Sequence, residues 1–153
     1  MIKRQTVAAL SLSAAALIGI ALHEDYRGEA YVPVPGDVPT IGFGTTAGVK
    51  PGDKIDPVRA LVRLGDDADR MQQELRACIT APMHQHEWDA IVSWAYNVGT
   101  GAACRSTLVR KLNAGDYAGA CAELLRWVRA GGRELPGLVK RRQDEYRKCM
   151  GGS

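Results

Sequence analysis

His23-Glu24-Asp25-Tyr26-Arg27-Gly28, then Tyr31, then Pro35-Gly36-Asp37-Val38-Pro39-Thr40-Ile41-Gly42-Phe43-Gly44, joins two unlike parts of this chain. Before it, Gln5–Leu22 is a run of 18 residues without charge. After it come loop residues and then a long region of helical periodicity. The stretch itself holds Pro, Gly and β-branched residues, which predicts a small hairpin or irregular sheet over 31–46 with Pro35-Gly36-Asp37 as its turn. Residues 23–31 read as a helix end or turn, broken at Gly28.

Downstream, residues 47–56 form a loop. Asp56-Pro57 then starts a helix, with an N-cap and Pro at the first position. Leu61, Leu64, Ala68, Met71, Leu75 and Cys78 recur in steps of three or four, and Pro82 interrupts. His84–Asn97 is the next predicted helix, with Trp88, Ile91, Val92, Ala95 and Tyr96 inward. Ser106–Leu112 is a short one closed by Asn113-Ala114-Gly115. Asp116–Val128 comes next, then a Gly131-Gly132 turn and a basic helix over Pro136–Cys149. The spacing places Trp88, Trp94 and Trp127 in the core rather than on a sugar platform. The expected class is α+β, mainly α, with a small β element near the start and a helical C-terminal lobe.

The chain has 153 residues, 46% hydrophobic and 24% charged, which suits one domain and an N-terminal segment. The net charge of +3 is uneven: residues 105–153 hold 11 Lys/Arg against 5 Asp/Glu. No basic-aromatic alternation or nucleic-acid motif accompanies it, so nucleic acid is not an expected partner. His84 and His86, at i and i+2 of a helix, should face apart, which argues against a metal pair. Cys78, Cys104, Cys121 and Cys149 contain no C-x-x-C, so zinc is poorly supported. Two disulfides in an oxidising compartment fit an even count, against an alternative of four buried thiols. Of three connectivities, Cys104–Cys121 with Cys78–Cys149 is the expectation.

Lys3 and Arg4 precede the uncharged run, which directs the downstream chain outward across a membrane. Eighteen helical residues are about the minimum to span a bilayer. The run is rich in Ala and holds Ser, Thr, Gly and Gln, so insertion is marginal. Three readings compete: a signal peptide cleaved after Gly19-Ile20-Ala21, a permanent anchor, and an uncleaved segment that inserts and later leaves. Cleavage would strand Glu24 third from a mobile terminus, and weak hydrophobicity opposes permanence. The releasable reading is preferred, with an N-terminal signal-anchor helix over residues 1–22 and a catalytic domain over 23–153.

Glycoside hydrolysis needs two carboxyl groups flanking one bond. One protonates the leaving oxygen and the other activates water or attacks. Glu24, Asp37 and the Thr40 hydroxyl lie within 17 residues, but acidic pairs at this spacing are common. The quoted string resembles the active-site signature of tailed-phage lysozymes, the endolysin family that cleaves peptidoglycan. Gln85–Gly99 resembles that family's central helix. Arg105-Ser106-Thr107-Leu108, Leu112-Asn113-Ala114-Gly115, Arg126-Trp127-Val128 and Leu135–Arg142 resemble further motifs. The likeness runs over residues 23–149.

The resemblance implies a lysozyme-like fold and hydrolysis of the β-1,4 bond between N-acetylmuramic acid and N-acetylglucosamine, with no cofactor and no metal. It implies Glu24 as general acid and Thr40 as holder of the water or lining of the cleavage subsite. The family's aspartate lies nine residues after the Glu and six before the Thr, where this chain has Pro33 and Val34. Asp37 is the nearest carboxylate and the expected substitute; its alternative role is to shape the turn. Arg141 and Arg142 are either contacts for anionic stem peptides or a solvated helix face. The expected partners are peptidoglycan and, through residues 5–22, the host inner membrane facing the periplasm, with later release of a monomer into the periplasm. A cleaved, secreted lysozyme and an anchored wall-binding protein that has lost the chemistry are the rivals.

Overall fold

The computed structural model describes residues 1–152. Its first 22 residues do not form one helix. Gln5 pairs with Met83 as an isolated bridge, Val7–Ala9 is a turn of 3-10 helix, and α1 covers Ala14–His23. Ser13 caps α1 by accepting from the Ala16 N–H. Ser13 marks the break: its hydroxyl serves the Ala16 N–H and Asp89 from an extended backbone, so α1 starts after it. Among the described residues no helix is long and apolar enough to cross a membrane.

The segment is fastened to the body by both packing and polar contacts. Val7, Leu10, Ala16 and Ile20 are buried. The Leu12 N–H donates to Gln72, the Ser13 N–H and hydroxyl donate to Asp89, and Arg76 donates to the carbonyls of Val7 and Leu10. Arg4 forks onto the Glu87 carboxylate, with its Nη2 at 2.8 Å, and lies 3.5 Å above the Tyr117 ring.

A small sheet comes after α1. Strands β1 (Arg27–Tyr31) and β2 (Thr40–Gly42) are antiparallel, with Tyr31 opposite Thr40 and Arg27 opposite Gly42. The register shifts between those pairs, so the pairing along β1 is irregular. Residues 53–55 line the other edge of β1, through Ala30 N–H to Asp53 and Ile55 N–H to the Gly28 carbonyl. The hairpin turn is the predicted one: the Asp37 N–H closes on the Val34 carbonyl at 3.0 Å, and Gly36 takes φ +86°. Pro35 then Gly36 with positive φ is the type II sequence.

The helical body comprises α2 (Pro57–Cys78), α3 (Gln85–Val98), α4 (Thr100–Cys104), α5 (Thr107–Asn113), α6 (Tyr117–Glu123) and α7 (Pro136–Cys149). Asp56 caps α2 as predicted, accepting from the Arg59 N–H. The core surrounds α3, whose residues from Glu87 to Ala95 are all buried. Trp88 and Trp94 are fully enclosed, as the spacing requires. Strands β3 (Arg129–Ala130) and β4 (Arg133–Glu134) form a hairpin around the Gly131-Gly132 turn.

Several expectations are corrected. Asp116–Val128 is not one helix: α6 stops at Glu123 and tightens into a 3-10 turn over Leu124–Arg126. That turn brings Trp127 edge-on to Trp94, with centroids 5.3 Å apart. The disulfides are Cys78–Cys104 and Cys121–Cys149, not the expected pairs. Cys78 and Cys104 end two adjoining helices, α2 and α4, while Cys121 of α6 meets the end of α7; both Cα separations are 5.7 Å. His84 and His86 do not face apart. His84 is the N-cap of α3, outside the helix, so helical spacing does not apply, and the two rings stack at 5.3 Å. No group of three metal-ligating side chains occurs among the described residues.

Candidate active site

Glu24 is the residue immediately after α1. Its N–H still bonds the Ile20 carbonyl at 3.1 Å, but its backbone is extended (φ −97°, ψ 139°). The helix therefore fixes where Glu24 begins, and the turn into β1 fixes where it points. Its Oε1 accepts from Arg141 Nη1 at 2.9 Å. The carboxylate side chain is 24% exposed and that of Arg141 only 5%, so the acid faces an opening with its anchor behind it.

Arg141 is held in turn. It donates to the Ser93 carbonyl at 3.0 Å and to Glu145 at 3.4 Å. Glu145 accepts from the Ser93 hydroxyl at 2.6 Å and pairs with Arg142. Arg142 also donates to the Trp127 carbonyl and to Asn97. Burial pushes the Glu145 carboxyl up against the pull of Arg142, and burial pushes the Arg142 guanidinium down. Both arginines are thus interior groups. Neither is a solvated face or an open contact for stem peptides, because their donors are committed to α3, the Trp127 loop and two carboxylates.

Beside Glu24 the end of β2 makes a tight turn. Ile41 and Thr45 exchange two backbone hydrogen bonds, at 2.9 and 3.0 Å. The Thr45 hydroxyl donates to buried Asp67 of α2 at 2.7 Å, which pins the turn to the body. Between them, Gly44 has φ +90°. A methyl group added there would stand 3.3 Å from Tyr96 Oη and 3.9 Å from Glu24 Oε2. Tyr96 donates to the Phe43 carbonyl at 2.6 Å. Burial, and secondarily the Glu24 charge, push the Tyr96 phenol up.

Thr40, the first residue of β2, is buried, and its hydroxyl donates to the Val38 carbonyl at 3.2 Å. Asp37 is exposed in the hairpin loop and its Oδ1 accepts from the Val38 N–H at 2.9 Å. Both side chains therefore grip one residue, Val38. No hydrogen bond among the described residues links them to Glu24, whose partner is Arg141. Glycosidases in general flank the scissile bond with two carboxyl groups and leave room between them for sugar and water.

Sequence reasoning missed Arg141 and Tyr96 as neighbours of the acid. For Arg142, the neighbour of Arg141, a signal existed. Leu138, Arg142, Glu145 and Cys149 share one inward stripe of α7, so two charges had to be paired inside. Nothing in the sequence revealed that the Tyr96 hydroxyl reaches β2.

A small sheet, an acid at the end of a short helix and a larger helical lobe make up the architecture of a lysozyme. The chain belongs to the phage lysozyme family, whose model matches residues 21–145. It is 39% identical over 140 residues to an endolysin of Acyrthosiphon pisum secondary endosymbiont phage 1, covering 89% of this chain and 95% of that one. It is 36% identical over 141 residues to a SAR-endolysin of Pseudomonas phage phiKMV, covering 90% and 87%. Among solved structures, an endolysin from Escherichia coli O157:H7 phage FAHEc1 superimposes with a TM-score of 0.79 at 31% identity, covering 93% of this chain and 94% of that one. The protein is accordingly a lysozyme, a glycoside hydrolase whose substrate is peptidoglycan.

Proposed function

We propose that this lysozyme is an endolysin exported in a membrane-tethered, inactive form and activated when residues 1–22 leave the host inner membrane and dock on the domain. It cleaves the β-1,4 bond between N-acetylmuramic acid and N-acetylglucosamine, with Glu24 as general acid. Asp37 and Thr40 handle the water from the far side of the bond. The observation that carries the reading is the direct covalent continuity of α1 with Glu24. The carbonyl of Ile20, a wholly buried residue, accepts from the Glu24 N–H. While residues 5–22 lie in a bilayer, α1 cannot fill its place in the core, and Glu24 is withheld from Arg141. Relatives named SAR-endolysins support the same reading.

Wall hydrolysis by tethered and released protein, compared per molecule, tests the switch: the released form should be active and the tethered form at background. Equal specific activity would sink it. N-terminal mass analysis of periplasmic protein separates the cleaved rival, which predicts a mature start at Leu22.

Asp37→Asn tests the displaced aspartate. The amide oxygen can still accept from the Val38 N–H, so the turn should survive. Hydrolysis should fall about 10²-fold if Asp37 handles the water. Activity within about twofold of the parent would assign Asp37 to the turn and leave the water to Thr40.

A further inference from the structure

We infer that Tyr96 is a positioning residue for the general acid, acting through the hydrogen bond from its hydroxyl to the Phe43 carbonyl. The inference rests on Glu24 being that acid.

Glu24 has two oxygens with different surroundings. Oε1 is held by Arg141. Among the described residues no hydrogen bond reaches Oε2; the backbone at Gly44 lies beside it, where an added methyl would stand 3.9 Å away. The oxygen free of Arg141 is the one able to carry a proton towards a leaving group. Its placement depends on the position of the Gly42-Phe43-Gly44 turn.

The turn is short and suited to glycine, with φ +66° at Gly42 and +90° at Gly44. Gly42 is backed by Ala60 of α2, whose Cβ would lie 3.0 Å from an added methyl. Thr45 is tied to Asp67. At Phe43 itself the Tyr96 hydroxyl supplies the tie, at 2.6 Å, from near the end of the most enclosed helix in the molecule. One hydroxyl thereby references the wall beside Oε2 to the same helix, α3, that holds Arg141 through the Ser93 carbonyl. Both oxygens of the acid are set from one rigid element. Small errors of placement are costly: about 1 Å of misplacement can cost about 10²-fold in rate.

Tyr96→Phe removes the hydroxyl and keeps the ring, so the core packing of α3 is preserved. The expected result on peptidoglycan is a fall in kcat of about tenfold with KM unchanged within about twofold, measured well below the unfolding temperature. A second substrate separates positioning from general loosening. A wall-derived oligosaccharide ending in a dinitrophenyl glycoside has a leaving group that needs no proton, so it bypasses the acid. Tyr96→Phe should lose much less activity on it than on peptidoglycan, and Glu24→Gln should show the same pattern at larger amplitude. If Glu24→Gln loses activity equally on both substrates, the general-acid reading falls. If Glu24→Gln is spared on the aryl glycoside but Tyr96→Phe is not, or if Tyr96→Phe leaves kcat on peptidoglycan intact, the positioning role falls and the acid stands.

Discussion

Glu24→Gln should abolish peptidoglycan hydrolysis, lowering the rate by about 10²–10⁴-fold, the usual contribution of a positioned general acid. The fold should survive. The amide oxygen can still accept from Arg141 Nη1, and the side chain is nearly isosteric, so α1 keeps its seat and the Ile20–Glu24 backbone bond is untouched. Turbidity clearing of purified walls and a thermal melt of the same sample check the two halves together. Substantial residual lysis by a folded variant would remove Glu24 from the role. Loss of the fold would show instead that the Arg141 pairing needs a full charge.

Glu145→Ala should cost the most stability of any exchange near the site, about 3–5 kcal/mol, because it leaves buried guanidinium charge uncompensated. Arg142 has no exposed surface and Arg141 only 5%, and Glu145 answers both. Arg141 would keep Glu24; Arg142 would keep only neutral acceptors, the Trp127 carbonyl and Asn97. A paired replacement, Arg142→Met with Glu145→Met, should recover about half of the loss or more, since exchanging a buried ion pair for apolar groups is often close to neutral. The remainder is the Trp127 carbonyl, the Asn97 amide oxygen and the Ser93 hydroxyl, each of which loses its partner. Denaturant midpoints for the parent, the single and the double variant measure this. A loss below about 1 kcal/mol for Glu145→Ala would mean that water reaches these arginines.

The legible parts of the fold are those written locally. Asp56-Pro57 caps α2, Pro35-Gly36-Asp37 turns the hairpin, and the three-and-four spacing within Trp88–Ala95 makes the central helix. Each depends on residues a few positions apart. The parts that escape depend on which helix ends become neighbours. Cys78 cannot announce Cys104 without the packing of α2 on α4, and Arg141 cannot announce Glu24 across 117 positions. The conformation of the N-terminal run escapes for a similar reason. Its hydropathy describes a helix, but Ser13 finds Asp89 and Leu12 finds Gln72 only once the body exists. The three candidate site residues are readable as types in order. Their division into an acid held by Arg141 and a pair gripping Val38 is not.

The Arg4–Glu87 pairing gives the molecule a polarity. The start of the chain is fixed at the N-terminal end of α3, and the end of the chain arrives there too, where His86 Nδ1 meets the carbonyls of Lys148 and Cys149 at 3.1 Å. Tyr96 and the Phe43 turn lie near the opposite end of that helix. From Glu87 to Tyr96 the helical rise spans roughly 14 Å. The first residues and the end of α7 thus occupy one pole of α3, and the turn beside Glu24 lies towards the other. A wall-binding module, a fluorescent label or a surface linker joined to either end would stand away from the turn beside Glu24, and a graft at one terminus would stand beside a graft at the other.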